Sequence, residues 1–503
     1  MRFIVYGCFL VVTTLSAWAT SPTATERTQL KLESIKDNPL ALMQFLEAMP
    51  KGADLHMHES GSSLAENMIN YAINDPLCLN RQNFLVYLNP TCPVYDIMQT
   101  AISDPTLRDN VIDSWSMRHF NRDGTISGHD HFFSTFGKYS AISWTYRGDI
   151  LAEMTARAQK QHVRYLEIML TPDRNSARIL GQQVGYDPDL ASLRQKLLAA
   201  GMSNIVTIIS DSLDRDEEKK DTILACQNSA PKSGCDVVVR YIYQVGREQP
   251  PEIVFAQLVA GFESASHDPR VVGINMVQPE DGTIALRDYA LHMKMIRFLH
   301  TFYPDIKISL HAGELTEALV SPDHLTFHIH DAITVAGASR IGHGVDICHE
   351  TNARALLQEM AKKEILVEVN LSSNDYILNI KGEDHPLALY LKTGVPVALS
   401  TDDEGVSREN LTIQYRRAVE DNKISYIELK KMARNSLYFA FISGENLWNN
   451  ADYQAYNTAC IKDNPESETE TESASCHLFL QNSPKANLQW QLEKQLVVFE
   501  NRM

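Results

Sequence analysis

Eight short β-forming runs alternate with helix-forming stretches between residues 53 and 400, and no other feature limits the possible folds so sharply. The runs are 53–58, 163–170, 236–245, 271–277, 306–311, 339–343, 365–370 and 395–400, rich in Ile, Val and Leu and bounded by turn residues. Near-continuous apolar runs mark strands buried on both faces, and intervening helices predict parallel pairing. Eight such units predict an α/β chain closed into a (β/α)8 barrel with peripheral insertions. A doubly wound open sheet is the competing architecture, but no Gly-x-Gly-x-x-Gly follows any of the runs. Residues 205–209 fit less well, reading as a hairpin arm or as part of a helix.

In a parallel barrel the C-terminal strand ends converge on one face, where catalytic groups collect. Ala53-Asp54-Leu55-His56-Met57-His58 puts two histidines at alternate positions of one strand, so both point the same way. Ile308-Ser309-Leu310-His311-Ala312-Gly313-Glu314 ends a buried strand on a histidine, with a glutamate three residues on. Arg340-Ile341-Gly342-His343-Gly344 and Ser400-Thr401-Asp402-Asp403 add a histidine and two carboxylates at later strand ends. His-x-His alone is a common pattern; the signal is seven such residues at the ends of strands expected to share one face. Three imidazoles and a carboxylate suit zinc, which takes both nitrogen and oxygen donors. A glutamate beside that cluster supplies the proton carrier of a metal-assisted hydrolase. His129-Asp130-His131 repeats the pattern in a polar stretch entering an aromatic helix, and is expected to line or cap a pocket rather than hold metal.

The 503 residues carry a net charge of −17 and no basic tract, which argues against nucleic acid and anionic membranes as partners. Arg2, the apolar run Phe3 to Leu15 and Ala17-Trp18-Ala19 have the three parts of a cleaved signal peptide over residues 1–19. That run is too short to span a bilayer, so an exported protein is expected, periplasmic or secreted. A helical arm at 20–50 follows, with a helix from Leu40 to Met49 that packs on the barrel or supports a homodimer. The barrel itself occupies 51–445, with insertions at about 74–130 and 211–235, the second read as an exposed loop or hairpin tip. The extension 446–503 contains an acidic low-complexity loop and a terminal helix. In an oxidising compartment Cys78/Cys92, Cys226/Cys235 and Cys460/Cys476 read as three local disulfides, leaving Cys348 as a free thiol expected to be packed.

Taken together, Pro50-Lys51-Gly52 with Leu55-His56-x-His58, then Ser309 to Glu314, Arg340 to Gly344 and Ser400 to Asp403, resemble the adenosine/AMP deaminase family, in its order and over roughly residues 48–445. The Met-Pro-Lys-Gly opening, the export signal and the cystine-bearing insertion are most similar to the secreted growth-factor-type branch and its bacterial relatives. The resemblance implies one zinc ion per chain held by His56, His58, His311 and Asp402. It implies that Glu314 protonates a purine ring nitrogen, His343 orients the attacking oxygen, and Asp403 hydrogen-bonds water or purine. The implied reaction converts adenosine, and 2'-deoxyadenosine, to inosine and ammonia.

Three departures concern the substrate. Glu59-Ser60-Gly61 replaces the usual Leu-Asp-Gly, making Glu59 and Ser60, with His58, candidates for substrate binding. Gln278 stands where the family has a glycine against the purine edge, and Glu404 follows the Asp pair in place of proline. Another 6-substituted purine is therefore the alternative substrate, and a secreted binding protein of the same fold the alternative class. Asn275 occupies the place of the bridging lysine used by two-metal relatives, which favours one metal. No Pro-Cys-x-x-Cys is present, which excludes the small cytidine-deaminase type.

Overall fold

The computed structural model describes residues 22–89, 91–463, 465 and 472–503. The expected signal peptide at 1–19 lies outside the described residues, as does most of the acidic loop. The described residues form ten strands: β1 (Gly52–His58), β2 (Leu77–Leu79), β3 (Val86–Leu88), β4 (Val163–Leu170), β5 (Val238–Gly246), β6 (Val271–Val277), β7 (Lys307–Ala312), β8 (Arg340–His343), β9 (Leu366–Val369) and β10 (Val397–Leu399). Eight of them pair in the order β1-β4-β5-β6-β7-β8-β9-β10, all parallel. The last seam joins strand ends: Asp402 N–H donates to the His56 carbonyl, and His58 N–H to that of Asp402, each at 2.9 Å. The barrel thus closes through residues expected to bind metal.

All seven residues of β1 are buried, as a barrel strand under helices requires. The end of the barrel opposite the site is sealed by the helix Pro484–Asn501, whose Leu488, Leu492 and Leu496 pack with Ala53, Leu55, Tyr165, Leu366 and Ala398. The helix Pro39–Ala48 buries Leu42, Phe45 and Leu46 on its own chain. Lys51 fastens that arm to the barrel, its buried ammonium donating to the carbonyls of Leu46, Met49 and Gln161. The polar start of the arm is itself a helix, Ala24–Ile35, opened by a Thr23/Glu26 capping box.

Several local expectations need correction. Residues 202–224 form one helix, so neither a hairpin arm at 205–209 nor a loop over 211–224 exists. Ile205, Ile209, Ser212 and Leu213 fall on one buried stripe at helical spacing, and the charges occupy the solvent side. Within the 74–130 insertion a helix spans Pro105–Ser114, capped by Asp104. The three expected disulfides are present, the first stapling the β2–β3 hairpin and the second the loop after the long helix. Cys348 is exposed rather than packed, because it ends a short surface turn after β8.

Candidate active site

Three strand ends in the site hold non-glycine residues in the left-handed region: Gln278 at φ +79°, His343 at +69° and Asp402 at +60°. Each such residue costs roughly 1–3 kcal/mol, a strain that persists where the surrounding structure fixes an orientation. Two glycines make room for the cluster. A Cβ on Gly342 would lie 2.5 Å from His56 Cε1, and one on Gly61 would lie 1.8 Å from Asp403 Oδ1.

Four donor atoms from β1, β7 and the end of β10 meet at one point. His311 Nε2 is 3.1 Å from His56 Nε2 and 3.2 Å from His58 Nε2. Asp402 Oδ1 is 3.4 Å from His56 Nε2 and 3.1 Å from His58 Nε2. Ligands bonded to a tetrahedral ion at about 2.0–2.1 Å stand about 3.3–3.4 Å apart, so these spacings fit a coordination shell. Each ring has its other nitrogen facing an oxygen: His56 Nδ1 meets Glu368 Oε2 at 2.7 Å, His311 Nδ1 meets Asn275 Oδ1 at 2.8 Å, and His58 Nδ1 meets Gln244 Oε1 at 3.1 Å. Those oxygens accept the Nδ1 protons, leaving three Nε2 lone pairs and a carboxylate turned on one another. A cation between them relieves that arrangement: a metal ion or, without one, a proton on His56, whose pKa is raised to about 10 against burial by hydrogen bonds to Asp402 and Glu368. The donor set therefore fits a metal ion.

Two buried groups here could hold a metal ion: His56, His311, His343 and Asp402, and His58 with Asp402 and Asp403. His343 Nε2 is 4.0 Å from Asp402 Oδ2, whereas His58 Nε2 is 3.1 Å from Asp402 Oδ1. Asp402 is held well below the usual carboxylate range: burial opposes this, but hydrogen bonds from His56 and His58 prevail. Glu314 is pushed well above it by burial, then by the charges of Asp402 and Glu280. Asp403 is raised by burial and the adjoining Asp402. Burial and mutual repulsion thus favour the ionised form of Asp402 and the protonated forms of Glu314 and Asp403. Glu314 is fixed from behind, where Glu280 accepts the N–H groups of Gly313 at 3.2 Å and Glu314 at 2.9 Å.

A cavity of about 330 Å³ opens onto this cluster, within the size range of small-molecule sites. His58, His311, Glu314, His343, Asp402 and Asp403 line its floor. Phe132, Phe133 and Phe136 of the helix Gly128–Ser143 form an apolar wall. Ser60 and Gln278 line it too. Glu59 does not: its buried carboxyl lies in the fields of Arg147 and Asp216, because a helical turn starting at Glu59 directs successive side chains differently. Glu404 also turns away, pairing with Arg157 at 2.8 Å. His129 pairs with Asp281 at 3.0 Å, and His131 Nε2 with the Ser116 carbonyl at 3.0 Å, so both brace the aromatic helix outside this cavity, and His131 lines a separate pocket with His119 and Phe120.

Sequence reasoning missed the groups behind the ligands. Glu368 holds His56 and also meets Ser309 Oγ at 2.9 Å and Arg340 Nε at 2.6 Å; Arg340 in turn reaches Glu167 at 2.6 Å. A carboxylate at an inward position of a buried apolar strand, as in Leu366-Val367-Glu368-Val369 or Tyr165-Leu166-Glu167-Ile168, was the available signal. Arg178 and Gln244 at the cavity had no comparable mark.

A parallel barrel with imidazoles and carboxylates gathered at its strand ends defines an amidohydrolase type of protein. The family model described as adenosine deaminase matches residues 126–449, and the chain belongs to the adenosine deaminase family of the amidohydrolase superfamily. Adenosine deaminase of Shewanella loihica is 33% identical over 139 residues, 27% of this chain and 39% of the relative. That of Clostridium perfringens is 34% identical over 143 residues, 28% and 39% respectively. The matched stretch thus spans about two fifths of these curated relatives. The solved structure of arabidopsis ADAL complexed with GMP shares the fold, with a TM-score of 0.50 at 19% identity over 80% of this chain and 94% of that one.

Proposed function

We propose that this protein is a zinc-dependent deaminase that converts adenosine, and 2'-deoxyadenosine, with water to inosine and ammonia outside the cytoplasm. The observation that carries this reading is the meeting of His56, His58 and His311 Nε2 with Asp402 Oδ1, beside a buried, protonated Glu314. When bound, zinc supplies a water whose pKa is lowered to about 7. Glu314 hands its proton to the ring nitrogen next to the amino-bearing carbon, making that carbon electrophilic. His343 orients the attacking oxygen, and Asp403, with Oδ1 unpartnered among the described residues, hydrogen-bonds purine or water. The phenylalanine wall excludes water and stacks on the purine. Three disulfides support an oxidising compartment, as does the signal-like segment 1–19.

Gln278 bears on the substrate. Its side-chain oxygen accepts the Glu248 N–H at 2.9 Å, which pins the side chain back instead of leaving it free to fill the purine site. It keeps the left-handed backbone that a glycine adopts without strain. Gln278→Gly is accordingly expected to leave adenosine turnover within about threefold, whereas a blocking side chain would give a gain above tenfold, read from kcat/KM. Ser60 and the Arg178 guanidinium on the cavity wall favour a second reading, a 6-substituted purine with a different or anionic sugar portion.

Ammonia release and ultraviolet change over adenosine, deoxyadenosine, AMP, N6-methyladenosine and adenine separate the two. Fastest turnover of adenosine supports the first reading, and silence on adenosine with turnover of another purine replaces it with the second. Asn275→Ala, which frees the His311 ring, is expected to weaken zinc binding about 10–100-fold in chelator competition. Unchanged affinity would remove His311 from the ligand set.

A further inference from the structure

Behind His343 runs a hydrogen-bonded chain that the reaction scheme above does not use. Leu387 N–H donates to His385 Nδ1 at 3.1 Å. His385 Nε2 lies 3.0 Å from Asn374 Oδ1, and Asn374 Nδ2 lies 2.9 Å from His343 Nδ1. All three side chains are buried. His385 is 42 residues beyond His343 in sequence, so only the fold brings them together.

The direction of every bond in this chain follows from its far end. A backbone N–H can only donate, so His385 Nδ1 must offer its lone pair. Burial lowers the His385 pKa to about 3, and the neutral ring then carries its one proton on Nε2. That proton requires oxygen on the near side of Asn374, which turns the amide nitrogen toward His343. The reverse amide orientation would set NH2 against Nε2–H and is excluded. Asn374 therefore donates to His343 Nδ1, and the single proton of neutral His343 is left on Nε2. Glu314 Oε1 is 3.6 Å from Nδ1, too far to compete, and a protonated Glu314 moving closer would donate in the same sense. His343 Nε2 itself has no partner among the described residues and faces the cluster, 4.0 Å from Asp402 Oδ2.

We propose that Asn374 and His385 are positioning residues that lock His343 as the Nε2–H tautomer, so that it meets the attacking oxygen as a hydrogen-bond donor and not as a base. This rests on the deaminase reading above for the identity of the oxygen, but the tautomer itself does not. His343 then holds a lone pair of the attacking water in place and stabilises negative charge developing on its oxygen. The water's proton must leave by another group.

Three variants and one spectrum test this in full-length, zinc-loaded protein. Asn374→Asp offers His343 Nδ1 an acceptor, moves the proton to Nδ1 and points a lone pair at the attacking oxygen. It is expected to lower kcat about 100-fold, the lower end of what a positioned proton-bearing group contributes, with KM within about threefold. His385→Leu releases the amide and is expected to lose about tenfold in kcat. His385→Gln keeps the polarity, with Oε1 accepting from Leu387 and Nε2 donating to Asn374, and is expected to recover most of that loss. Long-range proton–nitrogen correlation on ¹⁵N-histidine protein, with His343→Gln as the assignment control, reads the tautomer directly. Nε2–H in the wild type and Nδ1–H in Asn374→Asp supports the lock. Nδ1–H in the wild type, or equal kcat for the Leu and Gln variants at 385, overturns it. Absence of turnover on every purine would fail the deaminase reading alone, because the spectrum still decides the tautomer.

Discussion

Stripping the metal with a strong chelator is expected to abolish purine deamination, leaving less than about one part in a thousand, and one equivalent of zinc is expected to restore it. The size of the loss follows from the water: bound zinc would lower its pKa from far above neutrality to about 7, so without the ion the nucleophile nearly vanishes at neutral pH. His311→Ala should reproduce the loss permanently, because His311 Nε2 stands within 3.1–3.2 Å of both other imidazole donors. Elemental analysis should then show well under one zinc per chain. A metal that binds only the folded chain should also raise Tm in proportion to the logarithm of its free concentration over Kd. Full turnover at under a tenth of an equivalent of metal would refute the zinc-dependent reading.

Glu314→Gln carries the second large effect. A positioned general acid contributes about 10²–10⁴ in rate, and an amide has no proton to give, so kcat should fall by that factor while zinc content holds at one equivalent. Stability should move the other way. Burial and the charges of Asp402 and Glu280 raise the folded pKa of Glu314 above its unfolded value of about 4.3. Above that unfolded value the native state holds a proton the unfolded chain has lost. Stability is therefore full below about pH 4 and declines as pH rises toward the folded pKa. Glutamine does not ionise, so the variant should lose this contribution to the decline and equal or exceed wild-type Tm at pH 8. The same ionisation should set the alkaline limb of the wild-type rate profile, since turnover needs the protonated acid. A variant that keeps a tenth of wild-type kcat would exclude Glu314 as the proton donor.

The framework was legible because strand identity is local. A run such as Ile308-Ser309-Leu310 declares itself by composition, and a barrel follows when eight such runs are spaced by helices. The same locality caused the errors. Ile205 to Ile209 is β-branched enough to look like a strand, yet its buried residues recur at helical spacing over a stretch too charged to show it at a glance. Glu59 and Ser60 are neighbours, and only the turn of helix after β1 decides that Ser60 faces the cavity while Glu59 is buried elsewhere.

By itself, then, the sequence determined the barrel, the residue types at its strand ends and the family to which the motifs belong, and it placed six cysteines as neighbours whose pairing the structure supplies. The tertiary structure decided which atoms face one another: His56 with Glu368, His311 with Asn275, Gln278 with Glu248, and His343 with Asn374 and His385. The reason is physical. Strand and helix preferences act over a few neighbouring residues, whereas the proton on a ring nitrogen or the charge on a carboxyl is fixed by groups dozens to hundreds of residues away, brought within 3 Å only when the barrel closes.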